Sequence, residues 1–92
     1  RSAVFTPNVF TPGESTNNTW QPVLQDVVEM ELWIYNREGL LVCHLEGVEA
    51  RWDGTRGGEP CPQGAYVYTL QYRTRMQPEK RQKITGTILL LR

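Results

Sequence analysis

The sequence predicts an all-β fold, an immunoglobulin-like sandwich of about seven short antiparallel strands. Apolar side chains recur at every second position in several short segments, as they do in strands with one buried face. Glycine, proline and asparagine separate these segments at fairly even spacing. No i, i+3, i+4 pattern of apolar residues lasts for three turns, so we expect almost no helix.

The composition indicates one small domain without a strong net charge. The 92 residues are expected to form one domain, 1–92, because a chain of this length supports a single core. The 10 basic and 10 acidic residues cancel, which gives no electrostatic reason to expect nucleic acid or an anionic membrane as a partner. No apolar run approaches the roughly 18 residues of a membrane-spanning helix. We therefore expect a domain that does not itself span a membrane. The opening Arg1-Ser2 is typical of the middle of a chain, so we expect the domain to belong to a longer polypeptide.

The first half of the chain predicts four strands. Residues 3–12 contain two prolines and predict an edge strand with a bend, and residues 20–24 predict a short strand that a proline interrupts. The clearest period of two covers residues 28–35. Four aliphatic side chains in it are predicted to face inward: Val28, Met30, Leu32 and Ile34. Residues 36–39 (Asn-Arg-Glu-Gly) predict a hairpin turn, and residues 40–45 its returning strand.

An ordered loop between Trp52 and Tyr66, within the stretch 52–68, is predicted to be the segment around which the domain is organised. Its glycines and prolines argue against regular structure. Trp52 at its start and Tyr66 just after its end are expected to fasten it to the core. Asp53 precedes a glycine, and we expect it to stabilise a turn by bonding the backbone two residues on rather than to act as a general acid.

Two further strands are predicted after the loop. Residues 66–73 alternate aromatic or aliphatic side chains with others. The Gly-x-Tyr-x-Tyr step formed by Gly64, Tyr66 and Tyr68 resembles a tyrosine corner, in which a tyrosine hydroxyl bonds nearby backbone. Residues 84–91 carry apolar side chains on both phases, which predicts a strand buried on both faces. The glycine within that strand predicts a bulge or a close backbone approach.

The sequence lacks the patterns of catalytic and metal sites, so we expect no enzyme, no cofactor and no bound metal. It contains no Gly-x-Ser-x-Gly, no His-Glu-x-x-His and no phosphate-binding loop. The single histidine, His44, follows Cys43 in a predicted strand. Adjacent side chains of a strand point to opposite faces, so these two cannot chelate an ion together or form a nucleophile and base.

The two cysteines, Cys43 and Cys61, leave two interpretations open. A disulfide between them would pin the central loop to the sheet and restrict the unfolded chain. The alternative is two unpaired thiols.

Two surface features have both a functional and a structural interpretation. Trp33 and Tyr35 lie on the opposite phase from the aliphatic stripe, where they could form an aromatic shelf for a sugar ring or a protein partner. We favour the structural interpretation, a cross-strand aromatic pairing that stabilises the sheet. For the basic residues within 73–83 we also favour a structural interpretation, a solvated turn whose charges discourage pairing with the edge of another sheet.

Five motifs follow one another along nearly the whole chain. They are 7–12 (Pro-Asn-Val-Phe-Thr-Pro), 32–39 (Leu-x-Ile-Tyr-Asn-Arg-x-Gly), 52–55 (Trp-Asp-Gly-Thr), 62–68 (Pro-x-Gly-x-Tyr-Val-Tyr) and 86–92 (Gly-Thr-Ile-x-Leu-x-Arg). In this order they resemble the gliding motility-associated C-terminal domain family, the type B sorting domains of the type IX secretion pathway of Bacteroidetes.

The resemblance implies a structural signature and a recognition strand. The signature residues are Asn36, Arg37, Gly39, Trp52, Asp53, Gly54, Gly64, Tyr66 and Tyr68. The residues of the recognition strand are Gly86, Thr87, Ile88, Leu90 and Arg92.

The resemblance also implies a function, that of a non-catalytic C-terminal sorting domain. Such a domain would carry a larger secreted protein through the periplasm and outer membrane to the cell surface or the medium, with the outer-membrane secretion machinery as its partner. We expect the backbone of the last strand, and Arg92 as its positive end, to be offered to that partner as an exposed edge.

Two other functions stay open on the residues alone. One is an immunoglobulin-like binding module of a cell-surface adhesin or a glycan-handling protein, which would hold a glycan or a protein on Trp33, Tyr35 or the central loop. The other is a spacer between larger domains.

Overall fold

The computed structural model describes residues 3–12 and 18–92 and is all-β. Its strands are β1 (Ala3–Phe5), β2 (Val9–Phe10), β3 (Val23–Gln25), β4 (Val27–Tyr35), β5 (Leu41–Glu46), β6 (Thr55–Arg56), β7 (Glu59–Pro60), β8 (Gly64–Thr74) and β9 (Gln82–Leu90). The described residues contain no helix, which confirms the predicted fold class.

A five-stranded sheet forms the larger layer, in the order β2-β9-β8-β4-β5. Two small pairs accompany it, β1 with β3 and β6 with β7. The pair of β2 and β9 is parallel, which differs from the antiparallel arrangement predicted for all strands. Pro7 and Pro12 flank β2 and have no N–H to donate, so this edge strand stays two residues long.

The second layer covers one face of the large sheet and is rich in aromatic side chains. Trp20 and Trp52 form an isolated antiparallel bridge and are 0% and 2% exposed. The Trp20 ring packs on Tyr68 with 4.9 Å between ring centroids. Val4 of β1 and Leu24 of β3 pack against the same core. The two layers form a β-sandwich, the architecture that the sequence predicts.

The alternation of β4 is interrupted near its start. Val28, predicted to face inward, is 46% exposed, whereas the three later aliphatic residues of the stripe are at most 2% exposed. The register with β8 shifts between Val27 and Glu29, so Val27 pairs with the buried Thr74. A bulge of this kind reverses the phase of the residues before it. The prediction for Val28 is therefore wrong, and Val27 packs against the core in its place.

β9 is buried on one face only, so the prediction of two buried faces is wrong. Ile88 and Leu90 are fully buried. The outward-facing residues are exposed: Lys83, Thr85, Thr87 and Leu89. The second layer lies on one side of the sheet, and the threonines and the leucine of the other phase face solvent.

The central loop contains regular structure that the sequence analysis missed. β6 and β7 form a two-residue antiparallel pair, with Gly57 and Gly58 between them at φ angles of 58° and 89°. Two consecutive positive φ angles are those of a type I′ turn, the commonest turn of tight hairpins. Here the glycines make a hairpin possible rather than preventing one.

At Gly86 the backbone of β9 lies close against the ring of Tyr68. A Cβ at this position would lie 2.6 Å from the hydroxyl oxygen of Tyr68 and 2.7 Å from its Cε2. The register of β8 and β9 is continuous around it. Of the two structures predicted for this glycine, the close approach is therefore the one observed.

We predict that Gly86→Ala lowers the free energy of unfolding by about 1–3 kcal/mol, because the new methyl group overpacks against the Tyr68 ring. Urea unfolding measures the change. In a Tyr68→Leu background the ring is gone, and the same substitution should cost less. An equal cost in both backgrounds would contradict this explanation.

Candidate recognition site around the last strand

The turn that follows Trp52 holds the central loop against the end of β9. The Trp52 indole Nε1 donates to the carbonyl of Thr55 at 2.9 Å. Asp53 Oδ1 accepts from the amide of Thr55 at 3.1 Å and from its hydroxyl at 2.7 Å, so Asp53 stabilises a turn. Gly54 has a φ of 84°, and a Cβ there would lie 2.9 Å from Cγ of Pro12. Both the conformation and the space therefore require glycine.

Tyr66 forms the predicted tyrosine corner, and Tyr68 makes a hydrogen bond to a residue far away in the sequence. The Tyr66 hydroxyl donates to the carbonyl of Pro62, four residues upstream, at 2.6 Å. Its ring meets Trp52 edge-on, with 5.2 Å between centroids, and burial raises the pKa of the Tyr66 hydroxyl. The Tyr68 hydroxyl donates to Oγ1 of Thr6 at 2.8 Å, which ties the N-terminal segment to β8.

Arg92 bonds the end of the chain to the central loop. Its guanidinium donates from Nε to the carbonyl of Cys61 at 2.9 Å and from Nη2 to the carbonyl of Gly54 at 3.0 Å. Its amide donates to Oε1 of Gln63 at 2.9 Å. The predicted positive end of the strand is thus part of a bonded unit with the loop, in which the Cys61 amide also donates to the Gly54 carbonyl at 2.8 Å.

The five residues of the predicted recognition strand fall into two groups. Gly86, Ile88 and Leu90 lie on the inward phase, where the latter two are fully buried. Thr87 is exposed on the outward phase. Arg92, just beyond the strand, is exposed while it bonds the loop. The side chains that a partner of the folded domain can reach are therefore only part of the predicted set.

The edge of β9 is covered only near its end. β2 pairs with Leu89 and Leu90, and the backbone N–H of Leu89 donates a hydrogen bond to the carbonyl of Asn8 at 2.7 Å. In the described part of the chain, residues 82–88 pair with β8 alone. The backbone on the other side of this stretch is an edge of the kind that strand-adding partners use.

The hairpin turn between β4 and β5 has the predicted form. Asn36 Oδ1 accepts from the amides of Glu38 and Leu40 at 2.9 and 3.0 Å, and Gly39 has a φ of 86°. An open groove of about 520 Å3 lies between this turn and the central loop. Arg37 and Tyr66 are among its lining residues, so two of the five motifs meet at one surface.

The predicted aromatic shelf is partly occupied by a neighbouring histidine. Trp33 is the cross-strand partner of His44, and the two rings stack with centroids 5.0 Å apart at 9°. This is a cross-strand pairing that stabilises the sheet. Tyr35 is partly buried and pairs with Leu41 and Val67. The comparisons with known proteins give no support to a glycan ligand.

One group of metal-ligating side chains was missed in the sequence. Glu31, His44 and Glu46 each place one ligand atom within 4.8 Å of the others. The chain neighbour of His44, Cys43, faces the opposite way and cannot share a ligand with it. The partners of His44 lie across the hairpin, where Glu31 pairs with Glu46, and the pairing register was the signal that could have found them.

Both cysteines are free thiols, the second of the two interpretations of the sequence. Cys61 is buried, and Cys43 is partly buried. Burial, with smaller contributions from Cys61 and Asp53, raises the pKa of the Cys43 thiol from 9.0 to about 11. A thiol with this pKa is almost wholly protonated at neutral pH and is a weak nucleophile.

The structure defines a β-sandwich module in which hydrogen bonds from Arg92, just after the last strand, join that strand to the central loop. The chain matches the model of the CHU_C type IX secretion signal domain family over residues 4–90, and it belongs to that family. The resemblance seen in the motifs is thereby confirmed. No curated protein and no solved structure matches the chain.

Membership of this family has consequences for location. A type IX secretion signal domain implies export to the cell surface or secretion. The family is not a catalytic one. Among the described residues, no helix has the length and hydropathy that crossing a bilayer requires.

We predict that Arg92→Met, which keeps the aliphatic stem but removes the guanidinium donors, lowers the free energy of opening the central loop by about 1 kcal/mol. Hydrogen exchange at the Cys61 amide should accelerate, while exchange in β4 and β8 stays unchanged. Arg37→Met is the matched control, because Arg37 makes no hydrogen bond or ion pair with the described residues. Equal acceleration in both variants would contradict the role given to Arg92.

We predict that iodoacetamide labels Cys43 about 100-fold more slowly in the native chain than in the urea-unfolded chain at pH 8, because two pKa units are a hundredfold in thiolate. The native labelling rate should keep rising towards pH 11, whereas the unfolded rate levels off near pH 9. Mass spectrometry of the labelled peptides measures both. Equal native and unfolded rates would refute the protection, and a chain with a Cys43–Cys61 disulfide would take up label at neither cysteine until reduced.

Proposed function

We propose that this domain is a non-catalytic export signal that the outer-membrane type IX secretion machinery recognises in its folded form. The observation that carries the proposal is the family match over residues 4–90. The domain would direct a larger secreted protein through the outer membrane to the cell surface, and the chemistry of that protein would reside elsewhere in its chain.

The contact surface proposed here is the outward face and open edge of β9. Thr87 and Leu89 are exposed on this face, and the backbone of residues 82–88 lacks a strand partner on one side within the described chain. A receptor could add a strand to this edge, gaining affinity from main-chain hydrogen bonds and specificity from alternate side chains.

The inward residues of the recognition strand would act by positioning it. Ile88 and Leu90 are fully buried and fix which face of β9 points outward. Gly86 allows the strand to lie against the ring of Tyr68. Arg92 joins the end of the strand to the loop through the carbonyls of Cys61 and Gly54. A receptor would therefore meet the strand and the loop as one surface.

Two features of the described residues support the absence of catalysis. The Cys43 thiol, a nucleophile by residue type, has a pKa raised to about 11 by burial. Asp53 is bonded to the amide and the hydroxyl of Thr55 within its own turn. Neither group is arranged as an activated nucleophile or a general acid.

Deletion of β9 cannot separate recognition from folding, because it also removes Ile88 and Leu90 from the core. A sharper experiment uses two matched surface leucines, one on β9 and one on β5, the edge strand at the other end of the sheet from β2. Leu89 of β9 is 38% exposed and Leu41 of β5 is 43% exposed. Leu89→Glu places a charge on the proposed contact surface, and Leu41→Glu places the same charge away from it.

We predict that a neutral reporter fused to the intact domain is exported by a type IX secreting host, and that Leu89→Glu lowers export about tenfold, equivalent to about 1.4 kcal/mol of receptor binding. Leu41→Glu should leave export unchanged. Thermal unfolding of both purified variants checks that each is folded. Equal export of a reporter without the domain would refute the export signal, and equal export of the two variants would refute the proposed surface.

A further inference from the structure

We propose that Glu31, His44 and Glu46 form a binding site for a divalent transition metal ion, Zn2+ foremost, on the outer face of the β4–β5 hairpin. Two of the three ligands lie on β5, the edge strand at the opposite end of the sheet from β2. The site adds a ligand to a domain whose family match describes only a secretion signal.

Strand pairing brings the three side chains together. Glu31 and Glu46 are direct cross-strand partners, and His44 lies two residues before Glu46 on the same face. His44 Nε2 is 2.6 Å from Oε2 of Glu31 and 3.9 Å from Oε2 of Glu46. One imidazole nitrogen and two carboxylate oxygens therefore point at a common position.

These spacings suit a tetrahedral zinc ion. Zinc binds nitrogen and carboxylate oxygen at about 2.0–2.2 Å, which sets two ligand atoms of one tetrahedral ion about 3.3 Å apart. The two distances from His44 Nε2 lie on either side of that value, and all three ligand atoms lie within 4.8 Å of one another, so side-chain shifts of about 1 to 1.5 Å would close the site. The Glu46 side chain is 72% exposed and free to make such a shift, and water would supply the fourth ligand.

Two neighbours hold the ligands in position. The His44 ring stacks on Trp33, which sets the plane of the imidazole. Arg81 NH1 lies 3.7 Å from Oε1 of Glu31 and is itself anchored on Oε1 of Gln71 at 3.0 Å, so Glu31 keeps its other oxygen towards His44. Outer partners of this kind orient the ligands of protein metal sites.

The surroundings give an ion access. An open cleft of about 410 Å3 adjoins the site, lined by Glu29, Glu31 and Glu46 among others. The imidazole ligand selects zinc and related transition metals over Ca2+ and Mg2+, which prefer oxygen ligands alone. A bound ion would bridge β4 to β5 and clamp the edge strand of the sheet.

The test is a titration of the untagged 92-residue chain with zinc chloride. Tryptophan fluorescence follows binding, because Trp33 stacks on a proposed ligand, and thermal unfolding gives an independent readout, because an ion bound only to the native state raises Tm. We expect saturable binding of one ion per chain below about 1 mM zinc, the weak end of the affinity scale, and no comparable response to calcium chloride.

Single substitutions assign the ligands. His44→Asn should weaken zinc binding at least about 100-fold, since the loss of an outer partner alone costs about 10- to 100-fold. Glu46→Gln should weaken it about tenfold or more. Glu59→Gln, at an exposed glutamate of β7 that is not among the grouped ligands, is the matched control and should leave the affinity unchanged.

The proposal is overturned if wild-type chain shows no saturable response up to about 1 mM zinc, or if His44→Asn binds zinc as tightly as the control variant. The second result would assign zinc to other groups, such as the thiols of Cys43 and Cys61. Binding is measured on the isolated domain, so neither result depends on whether the domain directs export.

Discussion

The bridge between Trp20 and Trp52 is the constraint on which the rest of the structure depends. Each backbone amide donates to the other residue's carbonyl, at 2.7 and 2.8 Å. Both indoles are buried with their Nε1 donors satisfied, by the carbonyl of Pro7 at 2.7 Å and that of Thr55 at 2.9 Å. A large apolar area is thus buried without an unpaired indole donor, which is the combination that makes tryptophan stabilising in a core. Through these bonds the bridge fixes both the N-terminal segment beside β9 and the start of the central loop.

The proposed recognition surface is a consequence of the same bridge. The loop that begins at Trp52 presents the carbonyls of Gly54 and Cys61 to the guanidinium of Arg92. The N-terminal segment, held by Pro7, supplies the short β2 that pairs with the end of β9. Segments far apart in the sequence therefore contact the last strand, so this strand takes its position only when the rest of the sandwich has formed.

Much of this fold could be predicted from local patterns. The alternation in residues 28–35 and 66–73 predicts the central strands. Glycine, asparagine and aspartate at a turn predict its backbone conformation or hydrogen bonds, as at Asp53, which accepts from the amide of Thr55. What could not be predicted depends on pairing between distant segments. The parallel partner of β9, the bulge that exchanges Val27 for Val28, and the meeting of Glu31 with His44 all follow from register, and register is decided by packing rather than by residue type.

The place of β9 within the sheet has a consequence for synthesis. This strand lies between β2 and β8 and contributes Ile88 and Leu90 to the core, so the layers cannot close until the ribosome has made it. A polypeptide that terminates before residue 82 would lack β9 and would reach the proposed secretion machinery without a complete sandwich. Because β9 is the last strand of the domain to be translated, chains that end before it would be left as substrates for proteases, and only chains that include it could form the complete sandwich.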